Sequence, residues 1–130
     1  MNDNHYQQNL YMKINLTITG CMGRMGQQLI KSSNKNKNFK LVSLTENFKI
    51  NRKINNILPE FNNVNSFKKT NIIIDFTVPK CTLEVLKIAS KLKKRVVIGT
   101  TGFTKNQEIL IKKYSIKNYQ IYCQFFLYLE

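Results

Sequence analysis

Residues 13–26 read Lys-Ile-Asn-Leu-Thr-Ile-Thr-Gly-Cys-Met-Gly-Arg-Met-Gly, and this stretch decides the fold. The first seven residues are β-prone and run straight into Gly20, which predicts a strand that ends in a turn. Apolar Met25, Leu29 and Ile30 follow at helical spacing, so a helix is predicted over 24–33. A strand joined to a helix by closely spaced glycines is typical of a phosphate-binding turn.

The alternation of strand and helix continues along the chain. Segment 47–70 is rich in Asn and Lys, and the one element predicted there is a short strand near Val64. Consecutive apolar residues in the later strands 71–76 and 95–98 predict that these strands are buried on both faces, as in a parallel sheet. Alternating strands and helices imply an α/β fold with right-handed crossovers. The remaining predicted elements are a strand at 39–45, helices after Pro79 and over 104–114 with Thr104 as N-cap, and a β-prone segment at 119–129.

Composition limits the class of protein. The chain has 130 residues, 42% of them hydrophobic, which suits one domain with a packed core. No apolar run is long enough to span a bilayer. Three widely separated cysteines argue against a disulfide framework or a zinc site. We therefore predict a cytoplasmic location, no membrane partner and no metal, with residues 1–11 as a disordered polar leader and 12–130 as the domain.

The net charge of +14 raises the alternative of nucleic-acid binding. However, the lysines are scattered rather than striped, and the chain carries no recognised nucleic-acid motif. Its abundance of Lys, Asn and Ile is what an A- and T-rich genome would produce. We predict that nucleic acid is not the partner, although a basic surface would help to attract a phosphorylated cofactor.

The glycine turn is the first of three candidate sites, all at the carboxyl ends of strands, where α/β sheets bind ligands. Gly20 would permit the tight turn, Gly23 would leave room for a pyrophosphate, and Gly26 would let the helix pack closely. The helix N-terminus would then offer free N–H groups and a positive dipole end to phosphates.

Glu46 and residues 99–103 form the other two candidate sites. Glu46 directly follows a predicted strand, where a carboxylate can accept hydrogen bonds from ribose hydroxyls; the alternative is a solvated loop residue. Lys49 and Arg52 follow shortly and could neutralise a 2′-phosphate, so NAD versus NADP stays open. The run Gly-Thr-Thr-Gly-Phe at 99–103 offers hydrogen bonds at the mouth of the sheet, or is simply a turn. Asp75, in the same region, could cap local N–H groups instead of touching a ligand.

Three motifs together resemble the 4-hydroxy-tetrahydrodipicolinate reductase family in order and spacing, over residues 12 to about 122. They are Gly20-x-x-Gly23-Arg24-Met25-Gly26, Ile74-Asp75-Phe76-Thr77-x-Pro79 and Val97-Ile98-Gly99-Thr100-Thr101-Gly102-Phe103. The resemblance implies a Rossmann-like, doubly wound sheet that binds NADPH or NADH for lysine biosynthesis through diaminopimelate. It also implies a pyrophosphate contact by Gly20, Cys21, Met22, Gly23, Arg24 and Met25, a ribose contact by Glu46, and a nicotinamide contact by Gly99, Thr100 and Thr101.

The resemblance also implies parts that this sequence does not contain. The family's second domain carries a paired-histidine motif and a Lys before a Pro-Ser-Gly-Thr segment, which supply the proton donor and grip the substrate. The one histidine here is His5, in the leader. We therefore predict a truncated chain that has no catalytic residue and binds cofactor without turnover, and we do not assume the family's homotetramer.

The last eight or so residues depart from an Ala-x-Asn-Phe-Ser element of the family, and we hypothesise a frameshift there. Two alternatives stay open. One is the nucleotide domain of another two-domain NAD(P) dehydrogenase, and the other is a non-enzymatic or pseudogene fragment.

Overall fold

The computed structural model describes residues 12–118 and 121–123. The predicted leader at 1–11 and the predicted departure beyond residue 123 lie outside these residues. In chain order the elements are β1 (Ile14–Thr19), α1 (Arg24–Lys35), β2 (Phe39–Thr45), α2 (Val64–Phe67), β3 (Ile72–Asp75), α3 (Pro79–Leu92), β4 (Arg95–Ile98), α4 (Lys105–Lys117) and β5 (Ile121–Cys123).

The five strands form one sheet in the order β2-β1-β3-β4-β5, and every neighbouring pair is parallel. The carboxyl ends of the strands therefore meet at one edge. The strand order reverses between β1 and β3, and such a switch point opens a crevice for ligands at that edge. Gly20 follows β1 and Phe76 follows β3, so these two residues flank the crevice.

Apolar side chains alternate between the two faces of the sheet and form two cores. On β3, Ile73 packs into a core with Val85 and Leu86 of α3, whereas Ile72 and Ile74 pack against the core on the other face. That second core contains Ile30 of α1. Because helices cover both faces, the predicted α/β doubly wound parallel sheet is confirmed.

Helices α3 and α4 begin at residues that the sequence predicted as helix starts. Pro79 occupies the first turn of α3, where its missing N–H costs nothing. Thr104 caps α4, since its side chain accepts a hydrogen bond from the N–H of Gln107 and the Gln107 side-chain oxygen accepts one from the N–H of Thr104. Both predicted helix starts are confirmed, and they place the preceding loops at the ligand edge of the sheet.

Two predictions are wrong. Val64 begins the short helix α2 and not a strand, because Asn63 and Ser66 form reciprocal capping hydrogen bonds. Strand β4 is not buried on both faces, since Val97 is 39% exposed while Val96 is buried. The helix on the Val97 face, α1, packs against β1 and β2 instead.

Across residues 12–118 and 121–123, no helix combines the length and apolarity needed to cross a bilayer. In the same residues, no group of three or more His, Cys, Asp or Glu side chains is arranged to hold a metal ion.

Candidate functional site

The glycine turn is shaped by two close backbone approaches. Gly20 has a φ of +62°, and a Cβ there would lie 2.7 Å from the carbonyl oxygen of Phe76. A Cβ on Gly26 would lie 2.2 Å from the carbonyl oxygen of Gly20. Neither position accepts a side chain, so the predicted tight turn and close helix packing are both present.

Gly23 differs from Gly20 and Gly26, because a side chain there would meet the ligand crevice rather than the packed backbone. It is the N-cap of α1, with extended φ −71° and ψ 167°, and a Cβ there would approach only the Gly20 carbonyl oxygen, at 3.3 Å. Any residue can adopt that conformation. Because Gly23 borders the ligand crevice, a larger side chain there would take up space in it. Gly23 supplies no side-chain cap. The N–H groups in the first turn of α1 therefore have no capping side chain.

A cleft of about 360 Å³ opens at this edge. Four predicted site residues line it, Gly20, Met22, Gly23 and Glu46. The remaining lining residues come from the segments after β2 and β3 and were not predicted as ligand contacts: Asn47, Phe48, Asn62, Phe76, Thr77, Val78 and Cys81. Proximity in sequence to Glu46 or to the Ile-Asp-Phe-Thr motif was the available signal for most of them.

Glu46 is held in the wall of this cleft and is only 9% exposed. Its Oε2 accepts a hydrogen bond from the N–H of Met22 at 3.0 Å, and its Oε1 accepts one from the N–H of Asn47 at 3.0 Å. The Glu46 N–H donates to the carbonyl of Glu60. A carboxylate has about four acceptor sites, so each oxygen keeps capacity for a ribose hydroxyl. The alternative of a solvated loop residue does not fit this burial.

Cys21, Arg24 and Met25 lie around the turn but not in the cleft wall. The Cys21 N–H donates to the carbonyl of Thr45 at 3.1 Å, and its thiol is fully buried in a core. Burial, followed by the nearby charge of Glu46, raises the pKa of the Cys21 thiol to about 11. Arg24 and Met25 begin α1 with exposed side chains.

The third predicted group, Gly99 to Thr101, begins the loop after β4, called here the β4 loop (residues 99–103). A Cβ on Gly99 would lie 2.1 Å from the ring of Phe76, so this ring lies directly against the loop. The Gly99 N–H donates to the Asp75 carbonyl at 2.8 Å. Thr101 is exposed, whereas Thr100 is only 5% exposed. The loop thus shares the ligand edge, with Phe76 between it and the cleft.

Asp75 is fully buried and accepts hydrogen bonds from four threonine hydroxyls. Thr19 and Thr77 donate to Oδ1 at 2.6 and 2.9 Å, while Thr82 and Thr100 donate to Oδ2. The suggestion that Asp75 caps local N–H groups is therefore replaced by a hydroxyl network. Sequence reasoning missed this network, although Thr19 at the end of β1, Thr77 in the Ile-Asp-Phe-Thr motif and Thr100 beside Gly99 were visible signals.

A parallel sheet with a glycine turn at its switch point and a carboxylate at the end of β2 defines a dinucleotide-binding domain of the Rossmann type. The chain belongs to a particular family of such domains, because residues 14–126 match the family described as "Dihydrodipicolinate reductase, N-terminus". This family domain binds NAD(P), and its enzymes use NADH or NADPH.

Curated relatives agree with the family. The chain is 69% identical over 103 residues to 4-hydroxy-tetrahydrodipicolinate reductase of Pelagibacter ubique (strain HTCC1062), covering 79% of this chain and 40% of the relative. It is 40% identical over 120 residues to the protein of the same name from Buchnera aphidicola subsp. Acyrthosiphon pisum (strain 5A), covering 81% and 43%. The chain therefore spans well under half the length of these relatives.

Solved structures show the same arrangement. Dihydrodipicolinate reductase from Paenisporosarcina sp. TG-14, bound to dipicolinate, superposes with a TM-score of 0.62 at 28% identity, over 80% of this chain and 45% of that one. Homoserine dehydrogenase of S. aureus superposes with a TM-score of 0.65 at 17% identity, over 87% and 32%. At that identity, the second likeness concerns the fold alone.

Proposed function

We propose that this chain is the nucleotide-binding part of a 4-hydroxy-tetrahydrodipicolinate reductase. In this proposal residues 12–130 act as one dinucleotide-binding domain in the cytoplasm. The whole enzyme reduces a cyclic imine dicarboxylate in the diaminopimelate route to lysine. The chain alone binds NADH or NADPH, rather than nucleic acid, and does not turn over substrate.

The observation that carries the proposal is the cleft between the glycine turn and Glu46. The adenosine ribose would bind Glu46 at the end of β2, and the diphosphate would lie on the first-turn N–H groups of α1. The nicotinamide would reach the β4 loop. The ends of β2 and β4 are three strand spacings apart, about 14 Å, which an extended dinucleotide can bridge.

The donor set of the cleft fits this cofactor. Uncapped N–H groups suit an anionic diphosphate, and the free acceptor sites of Glu46 suit vicinal hydroxyls. When bound, the reduced nicotinamide supplies a hydride. Imine reduction also needs a proton donor and groups that hold the substrate carboxylates. We assign neither to this chain, which is why the proposal is binding without turnover.

Titration of the chain with NADH and NADPH, followed by fluorescence, tests the proposal. Gly23→Leu should abolish binding with little change in melting temperature, because the backbone conformation of Gly23 suits any residue and the added side chain projects into the cleft. Gln28→Leu, at an exposed position of α1, is the matched control and should bind normally. Unchanged affinity in Gly23→Leu would refute the site. Turnover of 4-hydroxy-tetrahydrodipicolinate by the chain alone would refute the absence of catalysis.

A further inference from the structure

We propose that Asp75 is a positioning residue that fixes the β4 loop for the nicotinamide half of the cofactor. The inference rests on the proposed function and adds a role for a residue that lies behind the cofactor, not in contact with it.

The four hydroxyl donors come from four separate parts of the ligand edge. Thr19 ends β1 beside the glycine turn, Thr77 lies between β3 and α3, Thr82 is in the first turn of α3, and Thr100 is in the β4 loop. Asp75 itself ends β3, at the centre of the sheet. One carboxylate therefore ties the strand before the diphosphate turn to the loop on the nicotinamide side.

The four hydrogen bonds are held in place by the cost of leaving a buried carboxylate without donors. A buried carboxylate is costly unless its oxygens accept hydrogen bonds, and here each oxygen has two hydroxyl donors. Moving the β4 loop would withdraw the Thr100 hydroxyl from a buried anion. The loop is therefore held more firmly than its position between a strand and a helix would suggest.

Thr100 has a second contact that couples the loop to the cleft. Its Oγ1 accepts a hydrogen bond from the N–H of Thr77 at 2.8 Å while its hydroxyl proton is donated to Asp75 at 3.1 Å. Thr77 lines the cleft, and the ring of Phe76 packs on Gly99. The Thr100 hydroxyl is thus engaged behind the loop, so the loop backbone and the exposed Thr101 are left to face the nicotinamide.

Two ligands separate positioning from general stability. NADH contains the nicotinamide, whereas ADP-ribose has the adenosine, the diphosphate and a second ribose but no nicotinamide. Thr100→Val removes the hydroxyl at nearly constant volume, leaving Asp75 with one donor fewer and the Thr77 N–H without its acceptor. We expect about tenfold weaker NADH binding with ADP-ribose affinity within about twofold of wild type. Thr100→Ser keeps the hydroxyl and should restore NADH binding.

Thr82→Val is the matched control, because it removes a donor from the same Oδ2 atom but lies on α3, away from the β4 loop. It should lower the melting temperature without selective loss of NADH. If Thr100→Val does not fold, Thr100→Cys, with a weak thiol donor of similar size, carries the same comparison. Equal losses for both ligands, or no loss for either, would overturn the positioning role. Failure of the wild-type chain to bind either ligand would instead overturn the proposed function.

Discussion

Glu46 accepts a hydrogen bond through Oε2 from the backbone N–H of Met22, at 3.0 Å. The carboxylate therefore braces the glycine turn and lines the cleft at the same time. Glu46→Ala should weaken NADH binding about tenfold, because it removes both the ribose acceptor and this brace. Fluorescence titration measures the effect. Glu60→Ala removes an equal charge from an exposed side chain whose contact with Glu46 is through backbone, and it should bind like wild type.

The cofactor preference follows from the charges around the cleft. Glu46 lines it, and the lining residues within 12–118 and 121–123 include no Lys or Arg. A 2′-phosphate would meet a carboxylate without a neutralising cation, so we expect NADH to bind more tightly than NADPH. Glu46→Gln should bring the ratio of the NADPH dissociation constant to the NADH dissociation constant closer to one. Tighter NADPH binding would contradict this prediction and would point to Arg52, which lines a separate depression that shares Met22 with the cleft.

The glycine turn should respond differently at two of its positions. Gly26→Ala would place a Cβ 2.2 Å from the Gly20 carbonyl oxygen, which is backbone and cannot rotate away. We expect a loss of about 1 to 3 kcal/mol in the free energy of unfolding, measured by urea denaturation. Gly23→Ala, with a nearest contact of 3.3 Å, should keep most of its stability. Equal stability of the two variants would show that the turn relaxes more easily than its geometry indicates.

Two threonines on β1 offer a test of the hydroxyl network. Thr17 and Thr19 are both fully buried, but only Thr19 donates to Asp75; the Thr17 hydroxyl has no partner within residues 12–118 and 121–123. Thr17→Val should be neutral or stabilising, by up to about 1 kcal/mol, because it removes an unsatisfied polar group. Thr19→Val should destabilise by about 1 to 3 kcal/mol. Thermal melts of both variants decide the matter, and the reverse order would be inconsistent with the network.

The Cys21 thiol should make stability depend on alkaline pH. Its pKa is raised from 9.0 to about 11, first by burial and then by the charge of Glu46. The folded state thus holds the proton more tightly than the unfolded state. This contribution, on the order of 2 to 3 kcal/mol, is complete below pH 9 and is lost as pH rises toward 11. The drop in denaturation midpoint between pH 8 and pH 10.5 should be smaller in Cys21→Ala than in wild type. An equal drop in both proteins would contradict the assignment.

The sequence predicted the fold and the glycine turn because both depend on local pattern. Strand β1, Gly20 and the start of α1 are contiguous, and β-rich runs between helical segments leave few alternatives to a parallel sheet. The prediction of a strand near Val64 was wrong because the local pattern there is too short. A four-residue helix has too little periodicity to read, and its capping pair, Asn63 and Ser66, lacks the usual Glu or Gln.

The contacts of the candidate site were much harder to predict. Glu46 and Met22 are 24 positions apart, and Thr19 and Asp75 are 56 apart. Their hydrogen bonds depend on the register between neighbouring strands, which pairs Thr19 with Asp75 across β1 and β3. Sequence pattern placed these residues at strand ends but could not determine which side chains would meet.

The two ends of the cleft also differ in how freely they can change during evolution. At the adenosine end, Asn47 is exposed and joins Glu46 through its own N–H, so a single codon change there can alter cofactor choice locally. At the opposite end, four threonine hydroxyls donate to the one buried carboxylate of Asp75, so replacing any one of them leaves that carboxylate with a donor fewer. Adaptation to a different cofactor should therefore begin with substitutions beside β2, while substitutions at the four threonines should be slower.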